Sequence, residues 1–140
     1  MVGREPGARL MDRLSMLIAY AAEAGARPFR PGRHDCALFT AGWVKLATGQ
    51  DLARGWRSTY RSLKRGQQLL EKAGFANHVE FAVAHLPEIA PAFAQVGDIA
   101  VLDDQAFGIT AGEMIYCLKP EGLGLVPRRA MRRAFQVRSD

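Results

Sequence analysis

His34-Asp35-Cys36-Ala37-Leu38-Phe39-Thr40-Ala41-Gly42-Trp43-Val44-Lys45-Leu46-Ala47-Thr48-Gly49 is the stretch that decides the fold. Asp35 is a natural N-cap, because its carboxylate can accept from free amides in the first turn of a helix. Gly49 is a natural stop, since glycine enters the left-handed conformation that closes a helix without steric cost. Together they predict a helix over residues 36–48. Cys36, Phe39, Trp43 and Leu46 recur at helical spacing and share one face. The segment is apolar nearly all round, which predicts a central element covered on more than one side. Cys36 stands at its positive end, where a thiolate is favoured.

Upstream, Leu10, Leu14, Leu17, Ile18 and Ala21, with Met11 beside them, mark an amphipathic helix from Ala8 to about Ala24. Pro28, Pro31 and Gly32 make residues 27–33 a loop. Downstream, residues 51–60 connect to a third helix over Leu63–Ala73, capped by Ser62 and closed by Gly74. A fourth lies near Asn77–Leu86, with Val79, Ala82, Val83 and Leu86 on one face, and Pro87 and Pro91 end it. Character changes at Gly97. Short apolar runs at 98–102, 106–110, 114–118 and 123–126 alternate with turn residues, as in an antiparallel meander. A short basic helix or turn follows, and residues 134–138 return as a last strand. Helices followed by strands predict an α+β fold, the Asp35-Cys36 helix packed on a C-terminal antiparallel sheet. The chain reads as a single domain, 1–140, with an N-terminal helix and loop (1–33), a helical part (34–96) and a sheet part (97–140).

The 140 residues suffice for a hydrophobic core without staples. No apolar run is long enough for a membrane span. Met1 to Pro6 is charged, and the apolar residues after it are interrupted by Asp12 and Arg13, unlike a signal peptide. Synthesis and folding in the cytoplasm are expected. Cys36 on a helix and Cys117 in a strand read as free thiols rather than a disulfide framework. His34, His78 and His85 have no cysteine pair near them, and no metal or other cofactor is expected. The net charge of +5 comes mostly from arginine. Arg54, Arg57, Arg61, Lys64 and Arg65 form one cluster; Arg128, Arg129, Arg132, Arg133 and Arg138 form a second. Such clusters suit an anionic partner or a solvated surface. No helix-turn-helix, zinc finger or aromatic RNA motif accompanies them, so a nucleic-acid-associated protein ranks behind the other readings.

The motifs also have an order. Asp35-Cys36 opens the central helix, Gly97-Asp98-Ile99-Ala100-Val101 opens the first core strand, and Ala106-Phe107-Gly108-Ile109 opens the second. This order resembles NlpC-type cell-wall peptidases of the papain-like superfamily. Thr48-Gly49, Tyr60, Phe107-Gly108-Ile109 and Ala134-Phe135-Gln136-Val137 add a closer resemblance to small phage-encoded proteins related to those peptidases. The likeness runs from about His34 to Arg138. It implies a papain-like fold and a role at the tail tip or hub of a tailed phage, prophage or gene-transfer particle, among other tail proteins, assembled into a virion or phage-like particle. It also implies a cysteine nucleophile at Cys36 and a catalytic histidine at the start of the second strand. That position is Ala106, flanked by Gln105 and Phe107, and none of these is a base. The polar residue that orients the histidine would fall near Tyr116. A thiol without a base keeps much of its ordinary pKa, and amide cleavage also needs an acid for the leaving amine.

Two accounts of Cys36 follow. In one it is a small residue on the Phe39/Trp43 stripe of an inert scaffold, with Trp56, Tyr60 and the first arginine cluster as a contact surface. In the other it is the nucleophile of a hydrolase acting on peptidoglycan stem peptides, with His34 as a substitute base. Asp98 is expected to bond local amides in a turn, and Cys117 to pack.

Overall fold

A computed structural model describes residues 6–138, with side chains from residue 12 onward. The fold is α+β. Helices α1 (Pro6–Gly25), α2 (Cys36–Thr48), α3 (Leu63–Lys72) and α4 (His78–His85) precede strands β1 (Glu88–Ile89), β2 (Ile99–Val101), β3 (Phe107–Thr110), β4 (Met114–Lys119), β5 (Gly122–Pro127) and β6 (Arg133–Phe135). The strands form one sheet in the order β1-β6-β2-β3-β4-β5, antiparallel throughout.

The helix starts follow from local chemistry. Asp35 caps α2 by accepting from the Leu38 amide at 2.9 Å, Ser62 caps α3 through Arg65, and Asn77 caps α4 through Glu80. Such caps contribute about 1 kcal/mol each. Gly49 closes α2 in the left-handed conformation at φ 83°. The brief β1 pairs with β6 through Glu88↔Phe135 and Ile89↔Ala134, where the sequence read only the prolines that end a helix. Its two residues carry too little alternation to be seen alone.

α2 lies against β3 and β4, with α1 alongside it. Phe39, Trp43 and Val44 are buried in one cluster with Leu17 of α1 and Ile99, Ile109 and Phe135 of the sheet. Burying each large side chain contributes about 1.5–3 kcal/mol. Tyr20 stacks on Phe39 at 5.5 Å and donates its hydroxyl to the Phe39 carbonyl at 2.6 Å. A Cβ at Gly42 would sit 2.3 Å from that hydroxyl, so glycine is what lets α1 approach α2 here. The opposite face of the sheet is covered too, by a smaller cluster that includes Ala100, Ile115, Cys117, Met131 and Ala134.

Three expected faces need correction. On α4, Val83 is exposed, while Val79 and Ala82 are buried. Leu46 is 52% exposed, and Ala47 packs against the core in its place. Continuing by four residues from Trp43 stays on the buried stripe, while a step of three falls to its margin. On α1 the buried residues are Leu17, Ala21 and Ala24, with Ile18 half exposed. The side chains of Leu10 and Met11 lie outside the described residues.

Asp98 does more than hold a turn. It is fully buried, and its carboxylate accepts from the amides of Gln95 (2.8 Å) and Val137 (2.9 Å) and from the Arg138 guanidinium (2.7 Å). Arg13 of α1 adds a second cation 3.8 Å away. The Trp43 indole donates to the Gly97 carbonyl at 2.8 Å. These bonds fasten α1, α2 and the C-terminal segment to the start of β2, and so fix the height at which the head of α2 meets the sheet.

Candidate functional site

At the head of α2 the Asp35 carboxylate is saturated. One oxygen accepts from the Leu38 amide; the other accepts from the Gly32 amide at 2.9 Å and the Tyr60 hydroxyl at 2.6 Å. Asp35 therefore ties the loop before α2 and the segment after it to one point. Gly32 has φ +82°, and a Cβ there would lie 1.8 Å from the Tyr60 carbonyl oxygen, so only glycine fits. Burial, and then the bond to Asp35, push the Tyr60 phenol well above its ordinary pKa.

Cys36 is the first helical residue and is half buried. Its thiol is pushed up to about 11, mainly by burial, with the Asp35 charge adding to the rise. Hydrogen bonding from the Phe107 and Ala37 backbones pulls the other way and does not win. The preference of a helix start for thiolate is thus outweighed by desolvation.

None of the chain's three histidines is hydrogen-bonded to that sulfur among the described residues. His34 is buried, and its Nε2 donates to the Ala24 carbonyl at 2.8 Å. His85 donates through Nδ1 to the Phe81 carbonyl at 2.7 Å, a bond within α4. His78 donates through Nε2 to the Gln105 carbonyl and packs edge-on against the Phe107 ring at 4.7 Å. A carbonyl only accepts, so each of these nitrogens carries the proton. His78 lies on the same cleft as Cys36, which nothing in its local sequence signals. The bond to Gln105 that holds it spans 27 residues.

The strand opposite the thiol presents a different residue from the expected one. Ala106 packs into the cluster on the far face of the sheet, and Phe107 turns toward α2 and lines the cleft. Phe107 thus meets the Cys36 thiol through its backbone, while its ring lines the same cleft and packs against His78. Cys117 belongs to the far face as well, and both cysteines are free thiols. Tyr116 packs on the α2 side and pairs with Ile109 and Leu125.

The cleft has a volume of about 320 Å³. It is lined by residues of α2, α3, α4 and the sheet, among them the buried Val44, Ile99 and Phe107 and the more exposed Trp56, Tyr60 and Leu63. The two arginine clusters differ. In the second, Arg132 pairs with Asp103, Arg133 with Glu88 and Arg138 with Asp98, while Arg128 donates to the Pro91 and Ala94 carbonyls. Those cations are mostly spent on the fold and do not form a free anion-binding face. In the first, Arg57 pairs with Asp51, while Arg54, Arg61 and Lys64 are exposed with no acidic partner among the described residues. Among the described residues no three metal-ligating side chains converge, and no helix is long and apolar enough to cross a membrane.

Fold and site define a class: an α+β protein with a half-buried cysteine at the head of a helix, packed on an antiparallel sheet and flanked by an apolar cleft. The chain belongs to the family described as domain of unknown function DUF6950, whose model matches residues 8–137. No curated protein matches it.

Proposed function

We propose that this protein is a non-catalytic binding and assembly protein on a papain-like, NlpC-related scaffold, working at the tail tip or hub of a phage, prophage or gene-transfer particle. The particle setting rests on the ordered motifs from Asp35-Cys36 to Ala134-Phe135-Gln136-Val137. The non-catalytic reading rests on one observation: all three histidines are bonded to backbone carbonyls and none to the Cys36 sulfur among the described residues, and burial pushes that thiol up. Cysteine acyl transfer needs a thiolate and an acid for the leaving amine. Removing one member of such a pair costs several orders of magnitude in rate. Purified peptidoglycan incubated with wild type and with Cys36→Ala tests this directly. Equal, background release of stem-peptide fragments is expected. Release by wild type alone overturns the reading.

A second reading is favoured by the position of His78. Its Nε2 is bonded to Gln105, which leaves Nδ1 with a lone pair on a residue lining the cysteine's own cleft. In a hydrolase, Cys36 would attack the stem-peptide carbonyl, and His78 would take the thiol proton and return it to the amine. Loss of fragment release in both Cys36→Ala and His78→Ala would establish that account.

A further inference from the structure

We infer that the cleft beside α2 binds a single-chain anionic amphiphile, a free fatty acid, with its hydrocarbon along α2 and its carboxylate at the arginine-rich mouth. Three observations carry this, and none depends on the particle setting.

The first is size. A dry apolar cavity of about 150 Å³ accepts one benzene ring, so this cleft has room for roughly twice that, on the order of a dozen methylenes. It also reaches the volume at which pockets hold small molecules, about 300 Å³ upward.

The second is the chemistry of the wall. Ala41, Val44, Leu70, Phe81, Ile99 and Phe107 supply aliphatic and aromatic surface. The polar groups among them are mostly occupied. The Thr40 hydroxyl bonds the Cys36 and Ala37 carbonyls of its own helix, and Asp35 is saturated. An extended hydrocarbon suits such a wall, and a polar or charged body would lose its hydration uncompensated.

The third is the charge at one end. Tyr60, Leu63 and Gly66 line the cleft, and the exposed Arg61, Lys64 and Arg65 lie between them in the chain. The loop carrying the exposed Arg30 and Arg33 is fastened beside this segment, because the Ser58 amide donates to the Gly32 carbonyl at 2.8 Å and Tyr60 bonds Asp35. The neighbouring acids are already engaged: Asp51 by Arg57, and Asp35 by two amides and a phenol. An apolar slot with a cationic rim complements a chain with one anionic end.

The test is isothermal titration calorimetry of the full chain with dodecanoate below its micelle concentration, alongside butanoate, dodecyltrimethylammonium and anionic phospholipid vesicles. Saturable one-to-one binding of dodecanoate is expected, at least tenfold tighter than either butanoate or the cationic amphiphile. Ala41→Phe, which fills the slot, should abolish it. The surface double variant Arg61→Glu/Lys64→Glu should weaken it at least tenfold, and it keeps the test decisive if the cleft variant fails to fold. No dodecanoate binding, equal binding of the cationic amphiphile, or binding to vesicles without uptake of free dodecanoate overturns the inference.

Discussion

Cys36 should behave as a silent thiol. Burial pushes its thiol up from the ordinary 9.0 to about 11. Since each unit is tenfold in the equilibrium, the thiolate population at neutral pH falls about a hundredfold below that of an unshifted cysteine. Alkylation by iodoacetamide proceeds through the thiolate, so its rate should fall by the same factor before any steric shielding is added. A pulse of reagent between pH 6 and pH 10.5, with each cysteine peptide quantified by mass spectrometry, separates Cys36 from Cys117. Shielding lowers the whole curve without moving its inflection, so the shape of the profile is the informative quantity. The Cys36 rate should climb about tenfold per pH unit through pH 10 with no plateau. Glutathione, run in parallel, should level off earlier. A plateau in the Cys36 profile below pH 8 would refute the reasoning, because it would mean that a proton acceptor or a positive field reaches the sulfur.

Restoring a base tests which residue shares the cleft with the thiol. Phe107→His should introduce an alkylation inflection for Cys36 between pH 6 and pH 8 at a cost of about 2 kcal/mol in stability, whereas Ala106→His should leave the profile unchanged. Asp98→Ala leaves the guanidiniums of Arg13 and Arg138 without their buried partner and frees two amides, so urea denaturation should register a loss of about 3–5 kcal/mol. A loss under about 1 kcal/mol would contradict the fastening role given to that carboxylate. Stability should also fall at alkaline pH. Cys36 rises to about 11 and Tyr20 to about 12, mainly through burial, and Tyr60 moves in the same direction. Above pH 9 the unfolded chain releases protons that the native state keeps, so unfolding becomes easier as pH climbs from about 9 toward 12. Denaturation midpoints across that range check the sign, and a flat profile would contradict it.

What the sequence determined by itself was local. Asp35, Ser62 and Asn77 cap their helices through amides three residues away, and Gly49 closes α2 through its own φ angle. These interactions sit inside a few residues of chain and hold wherever the segment is placed. The α+β order followed from helical spacing giving way at Gly97 to short alternating runs. Tertiary structure decided the site. Every residue of β3 is buried, so no polar face sets the phase of the strand, and nothing local shows that Phe107 rather than Ala106 packs on the α2 side. The arrival of His78 in the cleft depends on Gln105, and the neutralisation of the second arginine cluster depends on Glu88, Asp98 and Asp103. These partners lie 27 to 45 residues distant in the chain, so packing alone, with the desolvation it brings, selects them.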